Sequence, residues 1–300
     1  MFKNIPVVTR NLLLINIIAF FACVLYGQSS QGGYILNDLL GLHFFMASEF
    51  HLYQLVTYMF MHASFEHIFF NMFALWMFGC IVERAWGPKR FLFYYLFCGI
   101  GAGIMQEIAQ FFSVYATFSE SAPLGLGEAI GVMHQYAGEL NGLTTVGASG
   151  AIYAILLAFG MIFPNERIFL FPIPVPVKAK YFVIGYAVLE LVMAFNSRGD
   201  GVAHLAHLGG MLFGFFLIRY WQKQLSDQYR QFNNETLFRP RQKKWEQTVK
   251  KEEEPPQWHE TSTKSNTHQD EIDAILDKIR RSGYESLTYE EKQKLFEHRN

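Results

Sequence analysis

Apolar residues gather in six runs, at about 10–27, 64–82, 91–114, 147–163, 179–196 and 202–220. Each is near the ~20 residues that a helix needs to cross a hydrocarbon core. The pattern therefore predicts an all-α membrane protein: a bundle of six transmembrane helices over residues 1–221 with both chain ends on one side. A polar linker is expected over 222–269 and a short helical segment over 270–300.

The connections carry patterns of their own. In the loop 28–63, Leu39, Leu40, Leu42, Phe44, Phe45 and Met46 are too apolar for water and too interrupted to span, so they predict an amphipathic element lying in the interface. The loop 115–146 is rich in Gly, Ser and Ala and is expected to be mobile. Between Phe171 and Val177 proline alternates with apolar residues, which excludes helix and favours extended chain. In the tail, Ile272, Ile275, Leu276 and Ile279 have helical spacing, Gly283 supplies a stop, and Thr288 with Glu291 reads as a capping box. That helical pair is too small to fold well alone and is expected to dock on a cytoplasmic partner.

Charge orients the bundle. Residues 1–221 hold ten basic residues: Lys3, Arg10, Arg84, Lys89, Arg90, Arg167, Lys178, Lys180, Arg198 and Arg219. All but Arg198 fall at the chain ends or in connections after an even number of spans. The positive-inside rule then puts both termini in the cytoplasm. The first span follows Arg10 like a secretory signal, but no convincing cleavage site follows and five more spans do, so it reads as an uncleaved anchor. The formal net charge of −1 argues against a nucleic-acid partner. Cys23, Cys80 and Cys98 are widely spaced in apolar segments, which implies neither a disulfide framework nor a metal cluster.

Three polar sites interrupt the apolar runs. Ser149 stands in Val146-Gly-Ala-Ser-Gly-Ala-Ile-Tyr153, where Gly147 and Gly150 permit close approach and a helix start offers unpaired N–H groups. A small-residue helix interface is the rival reading. His207 lies one turn before Gly210, whose Gly-x-x-x-Gly pairing with Gly214 marks a tight packing face, so the histidine points at whichever helix those glycines touch. If that helix is the fourth span, His207 reaches Ser149 and supplies the base a serine nucleophile needs. His204 is read as a wet interfacial histidine. His67 and Asn71, at i and i+4, share a helix face and both donate hydrogen bonds, suiting either an oxyanion site or a polar interhelical contact. His62, His67, His204 and His207 offer nitrogen ligands. No His-Glu-x-x-His occurs, however, and no carboxylate is expected beside the deep histidines, Glu66 facing elsewhere on its helix, so no metal is predicted. With no aspartate pair in any span, an aspartyl mechanism is disfavoured.

In this order along the chain, His67 with Asn71, Glu83-x-x-x-Gly87, Gly147-Ala148-Ser149-Gly150 with Tyr153, and Ala206-His207 with Gly210 and Gly214 resemble the rhomboid family of intramembrane serine proteases. The resemblance implies Ser149 as nucleophile and His207 as general base and acid, a dyad without aspartate. It implies an oxyanion hole from His67, Asn71 and the Ser149 N–H, with Tyr153 stacked on His207. Substrates would be single-span membrane proteins whose helix unwinds near small or helix-breaking residues, and no cofactor is implied. The compact plan suits a bacterial inner membrane. A catalytically silent relative that binds transmembrane segments is the alternative, and a transporter is opposed by the lack of an internal repeat. Many members carry Trp-Arg where this chain has Tyr53-Gln54, so the anchoring of the first outer loop is expected to differ.

Overall fold

The computed structural model describes residues 5–29, 32–121, 124–169, 176–196 and 203–237, with residues 274, 275, 278, 288, 290 and 291 of the tail. The chain divides into two compact units, Met1–Asn234 and Glu235–Asn300.

The first unit is mostly helical. Its helices are α1 (Val7–Tyr26), α2 (Ile35–Leu40), α3 (Gln54–Thr57), α4 (Phe65–Ala74), α5 (Cys80–Trp86), α6 (Pro88–Ser121), α7 (Leu126–Gln135), α8 (Ser149–Ile162), α9 (Ala179–Asn196) and α10 (His204–Leu237). A π-helical stretch, Leu75–Gly79, joins α4 to α5 into one rod. Two strand pairs complete the unit: β1 (Leu42–His43) against β2 (Thr144–Thr145), and β3 (Arg167–Phe169) against β4 (Pro176–Lys178), both antiparallel. Among the described residues, four helices are long and apolar enough to cross a membrane: α1, the rod Phe65–Trp86, α6 and α9. Helix α8 is also apolar but has 14 residues.

Exposure explains the composition. Helix α1 presents Ile15, Ile18 and Phe21 outward, α4 presents Phe69, Phe70 and Phe73, and α9 presents Ile184, Val188 and Leu191. An apolar surface this extensive is not tolerated in water and suits a lipid surround. Helix α8 is the opposite case. Nine of its residues, from Gly150 to Gly160, are buried, so it forms the centre of the bundle.

Small residues let α6 and α10 close on that centre. A Cβ added at Gly210 would sit 2.8 Å from the carbonyl carbon of Gly150, so α8 and α10 touch backbone to backbone. At Gly214 an added Cβ would lie 3.1 Å from Tyr94 Cζ and 3.3 Å from Ala154 Cβ. Tyr94 of α6 donates to the Ala154 carbonyl at 2.8 Å. Glu83 anchors α1 at the other end of the rod. Its buried carboxylate accepts from the N–H of Val8 at 2.9 Å and from the N–H and hydroxyl of Thr9, each at 2.7 Å. Two free N–H groups at the start of α1 are thereby satisfied by an anion at the positive end of the helix dipole. Four residues on, Gly87 ends α5 at φ +80°, which excludes most side chains.

The segments between α1 and α4 and between α6 and α8 hold more helix than their composition suggests. The stretch 115–146, read as a loop, holds the end of α6 to Ser121 and helix α7, whose Ala129 and Met133 are buried. Phe44, Ala47, Met133 and Leu140 form a second small core against Phe111, Tyr115 and Phe118 of α6. The apolar residues of the loop 28–63 divide accordingly: Leu42 and Phe44 are fully buried while Leu39 and Phe45 stay exposed. Gln54 is an internal staple of this loop, accepting from His51 N–H at 3.0 Å and donating to the Glu49 carbonyl at 2.9 Å. The proline-rich turn ends in extended chain at β4, and residues 170–175 lie outside the described residues.

Helix α10 continues to Leu237, well past the apolar run and into the stretch read as linker. Hydropathy marks where an apolar surround would stop and not where hydrogen bonding stops. Good helix formers follow Trp221, and no Gly or Pro intervenes before Pro240. In the second unit, Thr288 N–H donates to Glu291 Oε2 at 2.7 Å and Glu291 N–H to Thr288 Oγ1 at 3.4 Å, closing a capping box. Lys278 Nζ bonds both oxygens of Glu291 at 2.8 and 2.9 Å, which holds that carboxyl below its usual range. Ile275 is buried, while Ile272, Leu276, Ile279 and Gly283 lie outside the described residues.

Two stability predictions follow from these contacts. Glu83→Ala should lower the thermal midpoint in detergent by several degrees, since three hydrogen bonds to a charged group, each worth ~1.5–3 kcal/mol, are lost together. Gly210→Ala should also destabilise, because the new methyl meets the Gly150 backbone. Gly185→Ala, which has open space around it, should be neutral or stabilising.

Candidate active site

The segment before α8 is held from both sides. Strand β2 pairs with β1, and Gly147 N–H donates to the Tyr58 carbonyl at 2.9 Å. Gly147 has φ +132°, a conformation open to glycine, and the chain turns there into Ala148 and the start of α8. Ser149 is the first helical residue, so helix geometry leaves its N–H without an intrahelical acceptor.

The Gly150–Gly210 contact carries His207 to this point. His207 Nε2 lies 2.7 Å from Ser149 Oγ. The Tyr153 ring, one turn along α8, stacks on the His207 ring at 4.3 Å and 8°. Serine, histidine and tyrosine thus meet from two helices, with Gly150 and Gly210 as the spacer and Gly214 one turn further on.

His67 lies against the same turn. A Cβ added at Gly147 would be 2.8 Å from His67 Cε1 and Nε2, and 3.6 Å from Ser149 Oγ. Ser64 caps α4, accepting from the His67 N–H at 3.2 Å, which fixes where that helix begins. Asn71 is buried, and its Nδ2 has no hydrogen-bond partner among the described residues. A buried amide donor left open is costly unless something arrives to accept from it. His62, fully buried, stands edge-on to His67 with ring centroids 5.0 Å apart.

Two expectations are corrected here. His204 is not a wet interfacial residue: it is 8% exposed, and its Nδ1 is 2.7 Å from Glu190 Oε2. A carboxylate does stand beside the deep histidines. Glu190, near the middle of α9, also approaches His207 Nδ1 at 3.0 Å and accepts from the Tyr153 hydroxyl. Glu190, His204 and His207 present three ligand-type atoms within 4.8 Å of one another. The contacts of 2.7 and 3.0 Å are hydrogen-bond distances, shorter than the roughly 3.3 Å between ligands on a tetrahedral ion with ~2.0 Å bonds. The sequence signal for this group was available: a lone Glu inside an apolar run is costly and functional by default. What the sequence lacked was any mark of its partner.

Comparison with known proteins gives the same direction. The rhomboid domain model matches residues 49–223, and a family of unknown function, DUF6576, matches residues 259–299. The chain is 31% identical over 171 residues to RHOMBOID-like protein 12, mitochondrial, from Arabidopsis thaliana, a match that covers 56% of this chain and 46% of that one. It is 26% identical over 212 residues to rhomboid protease AarA of Providencia stuartii, covering 69% of each. It is 29% identical over 171 residues to the putative rhomboid protease YdcA of Bacillus subtilis, covering 56% of this chain and 68% of that one.

Gly147→Ala tests the geometry of the turn. Its φ is unfavourable for alanine and the added methyl meets the His67 ring, so a loss of about 1–3 kcal/mol in stability is expected together with displacement of His67 from Ser149. Thermal melting and a structure of the variant would check both.

Proposed function

The chain belongs to the rhomboid family and is a multi-pass integral membrane protein, and from that premise we propose that it is an intramembrane serine endopeptidase. One observation carries the reading: the 2.7 Å contact between Ser149 Oγ and His207 Nε2. These residues come from different helices, so the contact exists because the helices are packed to make it.

The chemistry runs as acyl transfer. His207 Nε2 takes the hydroxyl proton as Ser149 Oγ bonds to the scissile carbonyl carbon. The carbonyl oxygen becomes an oxyanion facing the Ser149 N–H, the unpartnered Asn71 amide and His67. Collapse breaks the C–N bond, and the leaving amine takes the proton from His207. Water, deprotonated by the same histidine, then releases the acyl group and restores the serine. Tyr153 keeps the imidazole plane fixed throughout.

In our reading the chain crosses the membrane six times with both termini in the cytoplasm, in a bacterial inner membrane. A 14-residue helix rises about 21 Å, less than the ~30 Å hydrocarbon core. If the inner end of α8 reaches the cytoplasmic face, Ser149 lies below the outer surface, in a recess that water enters from outside. Amides in a lipid-buried helix are shielded by their own hydrogen bonds, so the substrates are single-span proteins with a helix that unwinds near small residues. The helical C-terminal segment docks a cytoplasmic partner and takes no part in hydrolysis.

Ser149→Ala and His207→Ala should each abolish cleavage of a helix-unstable single-span reporter in proteoliposomes, and labelling by a fluorophosphonate. Retained cleavage by the serine variant would end the proposal, and folded wild-type protein that resists the probe would identify a silent relative. Asn71→Ala should cut kcat by ~10- to 1,000-fold with a smaller change in KM. Because α10 continues to Leu237, truncation belongs after that residue, and protein ending there should keep most of its activity in detergent.

A further inference from the structure

Glu190 is a single carboxylate inside an apolar helix, 5% exposed and remote in sequence from every residue discussed as catalytic. Burying such a charge costs several kcal/mol unless its oxygens are well bonded. Here they are. Oε2 lies 2.7 Å from His204 Nδ1 and 3.0 Å from His207 Nδ1, and Oε1 accepts from the Tyr153 hydroxyl. Three donors from α8 and α10 hold one side chain of α9.

The contact with His207 has a chemical consequence. A neutral imidazole carries one proton. If Nδ1–H donates to the carboxylate, Nε2 is left with its lone pair, and Nε2 is the atom 2.7 Å from Ser149 Oγ. The serine hydroxyl then donates to Nε2, which is the starting arrangement for proton transfer. When the proton moves, the imidazolium that forms is paired with an anion already in place.

We propose that Glu190 is a positioning residue that extends Ser149 and His207 into a Ser–His–Glu arrangement, fixing the His207 tautomer and stabilising its charged form. This rests on the protease reading above. The acid is shared, since His204 bonds the same oxygen and Tyr153 the other. Those two residues hold Glu190 in place for His207. The titratable groups facing His207 are Glu190 from α9, Tyr153 from α8, His204 from its own helix and His67 from α4. Glu190 is the carboxylate among them, and without it His207 Nδ1 would lose that acceptor.

The experiment compares wild type, Glu190→Gln and Glu190→Asp in proteoliposomes, with Ser149→Ala and His207→Ala alongside. Glu190→Gln should lower kcat by roughly 10- to 1,000-fold and leave KM comparatively unchanged. Glu190→Asp keeps a carboxylate and should recover part of the kcat that Glu190→Gln loses. In wild-type protein carrying ¹⁵N-histidine, His207 should show a protonated Nδ1 and a bare Nε2. That measurement stands even if Glu190→Gln fails to fold, and a protonated Nε2 in the resting enzyme would overturn the proposal. Folded Glu190→Gln whose kcat matches wild type would do the same, as would folded Glu190→Asp no more active than Glu190→Gln. Cleavage that survives Ser149→Ala sinks the protease reading and this inference together. Cleavage that needs Ser149 and His207 but ignores Glu190 sinks the inference alone.

Discussion

The contact between Gly150 and Gly210 is the constraint on which the rest depends. Without a side chain on either residue, α8 and α10 approach until backbone meets backbone, and a Cβ on Gly210 would fall against the Gly150 carbonyl. Ser149 precedes one glycine and His207 lies a turn before the other, so the distance between their reactive atoms is a by-product of that closeness. In a lipid surround there is little hydrophobic force between helices, and small-residue packing of this kind is a main source of association. The same contact that holds the bundle together therefore sets the geometry of the candidate site.

Around that contact the fold manages the cost of polar groups away from water. Glu83 satisfies the start of α1, Tyr94 reaches the Ala154 carbonyl, and Glu190 collects three donors. Each is a buried group that would be expensive alone and is inexpensive when bonded. The open Nδ2 of Asn71 stands apart from these, because nothing among the described residues accepts from it. A site that must bind a developing charge keeps a donor in reserve, and the unpartnered amide, one turn along α4 from His67, fits that use.

The segments that carry β1 and β2 serve the same end by different means. Strand β2, leading into α8, is pinned to β1, and the small core around Phe44 and Met133 packs on the C-terminal half of α6. Hydrogen bonds through Gln54 brace the first loop. The backbone turn that presents Ser149 is therefore supported from the loop side as well as by the helices.

How much of this the chain revealed by itself depends on the range of the interaction. Local patterns were legible: the apolar runs found the helices that carry the site, Gly-x-x-x-Gly marked a packing face, and the i, i+4 spacing put His67 and Asn71 together. The Thr288–Glu291 capping box was equally local. Non-local pairings were not legible. Glu190 stands alone in its run, and which helix it faces depends on how α9 lies against α8 and α10. For the same reason His204 was read as wet, although the partner that makes its burial tolerable sits 14 residues earlier on another helix. Composition also left the segment after α6 undetermined, since its Met133 and Leu140 pack with Phe44 and Ala47 of the first loop. Periodicity and spacing report the neighbours a residue has along its own helix, and these the sequence determined. The neighbours it acquires across helices follow from the order and rotation of packed rods, and those the tertiary structure alone decided.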